Sequence, residues 1–144
     1  MEALKLTAPL TVLRFNGPFE QEVDQIAAAI HTGDIGLSFD YHERGTAMDR
    51  NYNEADLITR LKNIRRGVVY IGRVDQLSPA VEVAMRERMF AGVTFLGTSR
   101  KAVVGAEEIQ VVKGGPFQPF VLVRDNTRAG TCVVDLKAHT VDWL

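Results

Sequence analysis

Residues 68 to 97, "VVYIGRVDQLSPAVEVAMRERMFAGVTFLG", restrict the fold more than any other stretch. Two continuous apolar runs, "VVYIG" and "VTFLG", flank a segment that opens at Ser78-Pro79, repeats Val81, Met85 and Met89 along one helical face and stops at Gly92. An unbroken apolar run fits a strand covered on both faces, as in parallel sheets layered with helices. The intervening helix has the length of a right-handed parallel crossover. The chain is therefore predicted to be α/β, with α+β as the alternative.

The flanking segments extend this unit. "LTVLRF" at 10–15 reads as a strand that ends in the turn signal "NGP". In "FEQEVDQIAAAIHTG", Val23, Ile26, Ala27 and Ile30 repeat at helical spacing, Glu20 and Glu22 favour the first turn, and Gly33 can close the end. "GLSFDYHE" alternates Leu37, Phe39 and Tyr41 with Ser38, Asp40 and His42, the period of a strand with one buried face. Asp40 and His42 then point to the wet face, and the charged stretch to Arg50 is a strand's polar side and exit loop. Asn53 is placed to cap "EADLITRLKNIRRG", whose Leu57, Ile58, Leu61 and Ile64 form one stripe before Gly67.

Beyond residue 100 the pattern changes to "EEIQVV", "FQPFVLV" and "TCVVDL", separated by "KGGP" and "RDNTRAG". These predict antiparallel strands, with Pro119 placing the second at an edge or delaying its start. The expected architecture is one domain over residues 1–144: a mixed sheet with an N-terminal βαβαβαβ part, antiparallel C-terminal strands, and helices packed on the sheet.

Charge excludes some function classes. Seventeen Lys and Arg oppose 18 Asp and Glu, a net charge of −1, so no global field gathers nucleic acid or an anionic membrane. No apolar run approaches a membrane span, and the N-terminus lacks the continuous apolar core of a secretory leader. The lone cysteine, Cys132, sits in the apolar run "GTCVVDL" and reads as a small core group. A soluble cytoplasmic protein is expected.

Candidate site residues cluster at strand ends. Arg14, Arg44, Arg73 and Arg100 each follow or close a strand, with Gly17, Gly72 and Gly97 close to three of them. Parallel strands bring such ends to one sheet edge, where open α/β sheets bind ligands and where cations suit a phosphate or carboxylate. "GTSRK" adds Gly97, Thr98 and Ser99 to Arg100 as an anion nest, without the order of a P-loop. Asp40, His42, His31, His139 and Cys132 lack the tight paired spacing of a zinc site, so no metal and no cofactor is expected. Glu82, in the first turns of the helix after "GRVDQLS", and Asp75 are the candidate carboxylates for acid, base or nucleophilic work.

"FNGPFEQEVDQI" after a first strand, and "VVYIGRVDQLSPAVEVAM" with a glutamate on the following helix, resemble the layout of nucleoside deoxyribosyltransferases. The resemblance covers about a third of the chain and implies Glu82 as nucleophile and Asp75 as a sugar contact. It departs at "SPAV", where the family has a glycine shortly before the glutamate.

Three functions follow as expectations. The first is a small-molecule-binding domain whose anionic or nucleoside-like ligand contacts Arg14, Arg73, Gly97, Thr98, Ser99 and Arg100. The second is a non-catalytic interaction or oligomerisation module, in which the C-terminal strands and Trp143 pair with another copy in a homo-oligomer. The third is a deoxyribosyltransferase-like enzyme using Glu82.

Overall fold

The computed structural model describes residues 6, 8–18, 22–23, 25–27, 38–40, 54–65, 68–114, 120–124, 131–135 and 140–143. Among them eight strands form one sheet: β1 (Leu10–Phe15), β2 (Ser38–Asp40), β3 (Val68–Ile71), β4 (Thr94–Ser99), β5 (Glu107–Val112), β6 (Phe120–Arg124), β7 (Thr131–Asp135) and β8 (Thr140–Trp143). The helices are α1, described at residues 22–23 and 25–27, α2 (Glu54–Asn63) and α3 (Pro79–Phe90). A 3-10 turn, Val74–Gln76, joins β3 to α3.

Strand order is β2-β3-β4-β1-β5-β6-β7-β8. The first five in this order are parallel and the pairings from β5 to β8 are antiparallel, so the α/β class and the mixed sheet stand. Pro119 lies outside the described residues; β6, described from Phe120, pairs with β5 on one side and β7 on the other and so is no edge strand. β5 belongs to both halves of the sheet, parallel to β1 on one side and antiparallel to β6 on the other. Asn53, His42, Arg44, His31, His139 and Gly67 lie outside the described residues, so their expected roles do too.

Connection direction sorts the helices. The chain leaves β1 and travels past β4 and β3 to reach β2, then returns stepwise through β3 and β4. Right-handed crossovers running in opposite directions place their helices on opposite faces. The core divides accordingly. Val23, Ile26 and Ala27 of α1 pack with Leu13, Phe15, Tyr70 and Leu96, and this layer continues over Ile109, Val111, Leu122, Cys132 and Val134. Leu57 and Leu61 of α2 and Val81, Ala84 and Met85 of α3 pack on Leu10, Val12, Val69, Ile71 and Phe95 on the other face.

Helix α3 shows how local chemistry sets these boundaries. The Ser78 side chain accepts from the Val81 backbone N–H, and Pro79 needs no hydrogen bond at the first helical position. At the far end Val93 N–H donates to Arg88 O and Gly92 N–H to Met89 O, the Schellman pattern, with Gly92 at φ 98.

Gly97 has a steric role instead. A Cβ there would lie 2.7 Å from Val74 Cγ1 and 3.2 Å from the Ile71 carbonyl oxygen, so only glycine lets the 3-10 turn settle against β4. Gly97→Ala is expected to cost about 1–3 kcal/mol through overpacking, and Val74→Ala added to it should return part of that loss. Urea midpoints of the wild type and the two variants check this; an unshifted midpoint for Gly97→Ala would remove the steric role.

Candidate functional site

β1, β3 and β4 are parallel, so their C-terminal ends meet at one edge of the sheet. Neighbouring β1 and β4 send their chains in opposite directions from this edge, β1 toward β2 and β4 toward β5. The two paths cross on opposite faces, β1 leading to α1 on one while Val103 and Ala106 after β4 pack with α2 and α3 on the other, and ligands of open α/β sheets usually lie where adjacent strands connect to opposite faces.

The register decides which residues reach it. Leu13 pairs with Thr98 and Arg14 with Ser99, so Phe15 lies beside Arg100; Ile71 pairs with Gly97, which brings Arg73 to the same level. The Arg100 guanidinium carbon is 4.9 Å from the Phe15 ring centroid and that of Arg73 is 6.0 Å away. Both distances allow attraction between the cation and the ring face.

Arg73 is held in an unusual state. Its backbone is left-handed, φ 52 and ψ 56, and it is the one described non-glycine residue with positive φ. For a residue with a Cβ this costs about 1–2 kcal/mol. Several bonds offset the cost: the Arg73 N–H donates to Thr98 Oγ1 at 2.8 Å, and Gln76 N–H donates to the Arg73 carbonyl at 3.0 Å. The guanidinium forks onto Asp75, Nε to Oδ1 at 3.2 Å and Nη2 to Oδ2 at 3.1 Å. These two side chains are only 7% and 5% exposed, so the ion pair lies inside the protein.

Polar burial is concentrated here. Of the four buried polar or charged residues described, Arg73, Thr98 and Ser99 belong to this edge, and Thr11 is the fourth. Ser99 Oγ accepts from the Lys101 N–H at 2.9 Å and donates to the Lys101 carbonyl, which ties down the turn that presents Arg100. Arg100 itself is exposed.

The edge therefore unites Arg73, Thr98, Ser99 and Arg100 from the expected set, with Gly97 one step behind them. It separates Arg14 and Glu82. Arg14 alternates with Phe15 and so emerges on the opposite face, where Nη1 meets Glu108 Oε2 at 3.1 Å. Glu82 rides on α3, across the sheet from the Phe15 ring, half exposed and 3.9 Å from Arg86 along its own helix. Asp75 is present at the edge as the counter-charge of Arg73.

Phe15 carries no motif signal, although it is the surface both guanidiniums share. The available clue was the alternation in "LTVLRF", which sets Phe15 and Arg14 on opposite faces. Among the described residues no three His, Cys, Asp or Glu side chains gather as metal ligands, and no helix is long and apolar enough to cross a membrane. No protein-family model matches the chain, and a search of curated proteins returns no match.

Proposed function

We propose that the protein is a small-molecule-binding α/β domain whose ligand is an anion, or a nucleoside-like molecule carrying one, seated at the C-terminal edge of β1, β3 and β4. The convergence of Arg73 and Arg100 on Phe15 at the point where adjacent strands connect to opposite faces of the sheet carries this reading. An arginine fork matches carboxylate or phosphate oxygens, and the Phe15 ring, 1% exposed, supports both guanidiniums from beneath. Arg100 is the direct contact, because it is exposed; Arg73, locked to Asp75, shapes the floor. Catalysis by Glu82 forms no part of this reading, since the sheet stands between its helix and the Phe15 ring.

A thermal-shift panel of nucleosides, nucleotides, sugar phosphates and carboxylates tests it. A ligand at about 100 times its Kd adds roughly 2.7 kcal/mol to stability, worth several degrees in a chain of this size. Arg100→Ala should abolish that shift and leave the ligand-free Tm nearly unchanged. Full retention of the shift in Arg100→Ala would move the ligand elsewhere, and a flat panel would reject the ligand classes named.

A second reading is a homo-oligomer assembled through the C-terminal strands. One observation favours it: the face of β5–β7 turned away from α1 carries an exposed Val112 with half-buried Val121, Val123 and Val133. A cytoplasmic setting accompanies both readings, because the buried thiol of Cys132 suits a reducing compartment.

A further inference from the structure

We propose that the anion taken at the edge of β1, β3 and β4 is a diphosphate, one phosphoryl group held by Arg100 and the other by Lys113 across the end of β1. The inference rests on the first reading above and names the chemical class of its ligand. Register and alternation bring Lys113 to the site. Phe15 pairs with Val111, so Lys113 stands two residues farther along β5 than the Phe15 level and on the Val111 side of the sheet. Val111 faces the α1 layer, the face on which Arg100 covers the Phe15 ring.

Arg100 follows Ser99, the partner of Arg14, and so leaves β4 at the Phe15 level. Strand spacing of about 4.8 Å and a rise of about 3.3 Å per residue put the Arg100 and Lys113 Cα atoms roughly 12 Å apart, one on each side of β1. The Arg100 guanidinium already lies over β1, 4.9 Å from the Phe15 centroid, so the Lys113 arm has only the rest of the span to cover. Between them β1 runs out into the exposed turn Asn16, Gly17 and Pro18. The left-handed backbone there, φ 91, puts a residue without a side chain at the Lys113 level.

Charge sets the number of phosphoryl groups. The described ends of β1, β4 and β5 carry three exposed cations, Arg100, Lys101 and Lys113, and no exposed carboxylate. Neither lysine ammonium has a hydrogen bond or ion pair among the described residues. Carboxylates nearby are engaged elsewhere: Asp75 holds Arg73, Glu108 holds Arg14, and Glu54 accepts from the Ser78 hydroxyl. The chain as a whole has a net charge of −1, so this excess is local. One phosphate monoester brings about −1.5 to −2 charges at neutral pH and leaves a cation unmatched. A second phosphoryl group closes the balance.

Isothermal titration of the full chain, in buffer free of divalent cations, compares inorganic phosphate, pyrophosphate and adenosine diphosphate. The wild type should bind pyrophosphate about tenfold or more tightly than phosphate, the gain of one further charge-assisted contact. Lys113→Ala should erase that preference while its affinity for phosphate changes little, and Lys113→Arg should keep it. Arg100→Ala should lose both ligands. Lys113 is exposed at a strand end, so circular dichroism of its variants should match the wild type. Tighter binding of adenosine diphosphate than of pyrophosphate marks a nucleotide as the source of the diphosphate, and equal binding marks the free anion; either supports the site when Lys113→Ala weakens it. Equal wild-type affinity for phosphate and pyrophosphate, or a preference that survives Lys113→Ala, overturns the diphosphate and leaves an Arg100-dependent anion site standing. Binding of none of the three also overturns the diphosphate, and a flat thermal-shift panel would then reject the reading beneath it.

Discussion

Asp75→Ala is expected to destabilise the protein by about 3–5 kcal/mol, the usual result of leaving a buried charge without its partner. The Arg73 and Asp75 side chains are 7% and 5% exposed, so water cannot take the place of the lost carboxylate. Arg73 would also keep its left-handed backbone while losing the fork that offsets that cost. In a chain of 144 residues the loss should lower Tm by roughly 10 °C. Arg73→Met combined with Asp75→Ala should be more stable than Asp75→Ala alone, since no guanidinium that has lost the Asp75 carboxylate remains buried. Calorimetry of the wild type, both single variants and the double variant measures the coupling. A Tm for Asp75→Ala within two or so degrees of wild type would mean that the pair is solvated in solution.

Raising the pH from 9 to 11 should remove about 2 kcal/mol of stability through Cys132 alone. Burial pushes its thiol from 9.0 up to about 11, against the opposing influences of the Arg124 charge and the Leu122 backbone. The fold thus favours the neutral form. A group raised in this way contributes its full stability below the unfolded value, near pH 9, and loses it as the pH climbs through the folded value. Lysines and tyrosines titrate over the same range, so the measurement is a comparison of urea unfolding at pH 8 and 11 in wild type and Cys132→Ala. The variant should show the shallower loss. Equal losses in the two proteins would assign the alkaline weakening to other groups.

Periodicity made the elements legible, because a strand or helix declares its buried face within its own residues. "EEIQVV" is β5 from first residue to last, and Leu57 and Leu61 of the α2 stripe are core residues. β8 was different: "TVDW" is too short to show a period and gains its strand form from pairing with β7. Strand order also escapes a local reading, since the chain passes over β4 and β3 before it lays down β2. At the site, the arginines were visible as residue types and their faces were not. "IGR" suggests Gly72 for any positive φ, yet Arg73 adopts it, because the Thr98 hydroxyl and the Asp75 carboxylate act on Arg73 from outside the tripeptide. Arg14 could have been set apart from Arg73 and Arg100 by alternation alone, as its neighbour Phe15 faces the α1 layer.

The position of β1 has a consequence for the order in which the molecule assembles. Its two neighbours, β4 and β5, lie about eighty to a hundred residues downstream, so during synthesis it has no permanent partner until both have emerged. The strands β5 to β8 close through short hairpins and incur little loop entropy, which makes them the faster half to form. The earliest strand of the sheet is then among the last to be enclosed, and until that moment Leu10, Val12, Leu13 and Phe15 are exposed to other chains. A chaperone that holds the first fifteen residues until β5 has emerged would raise the yield of native protein.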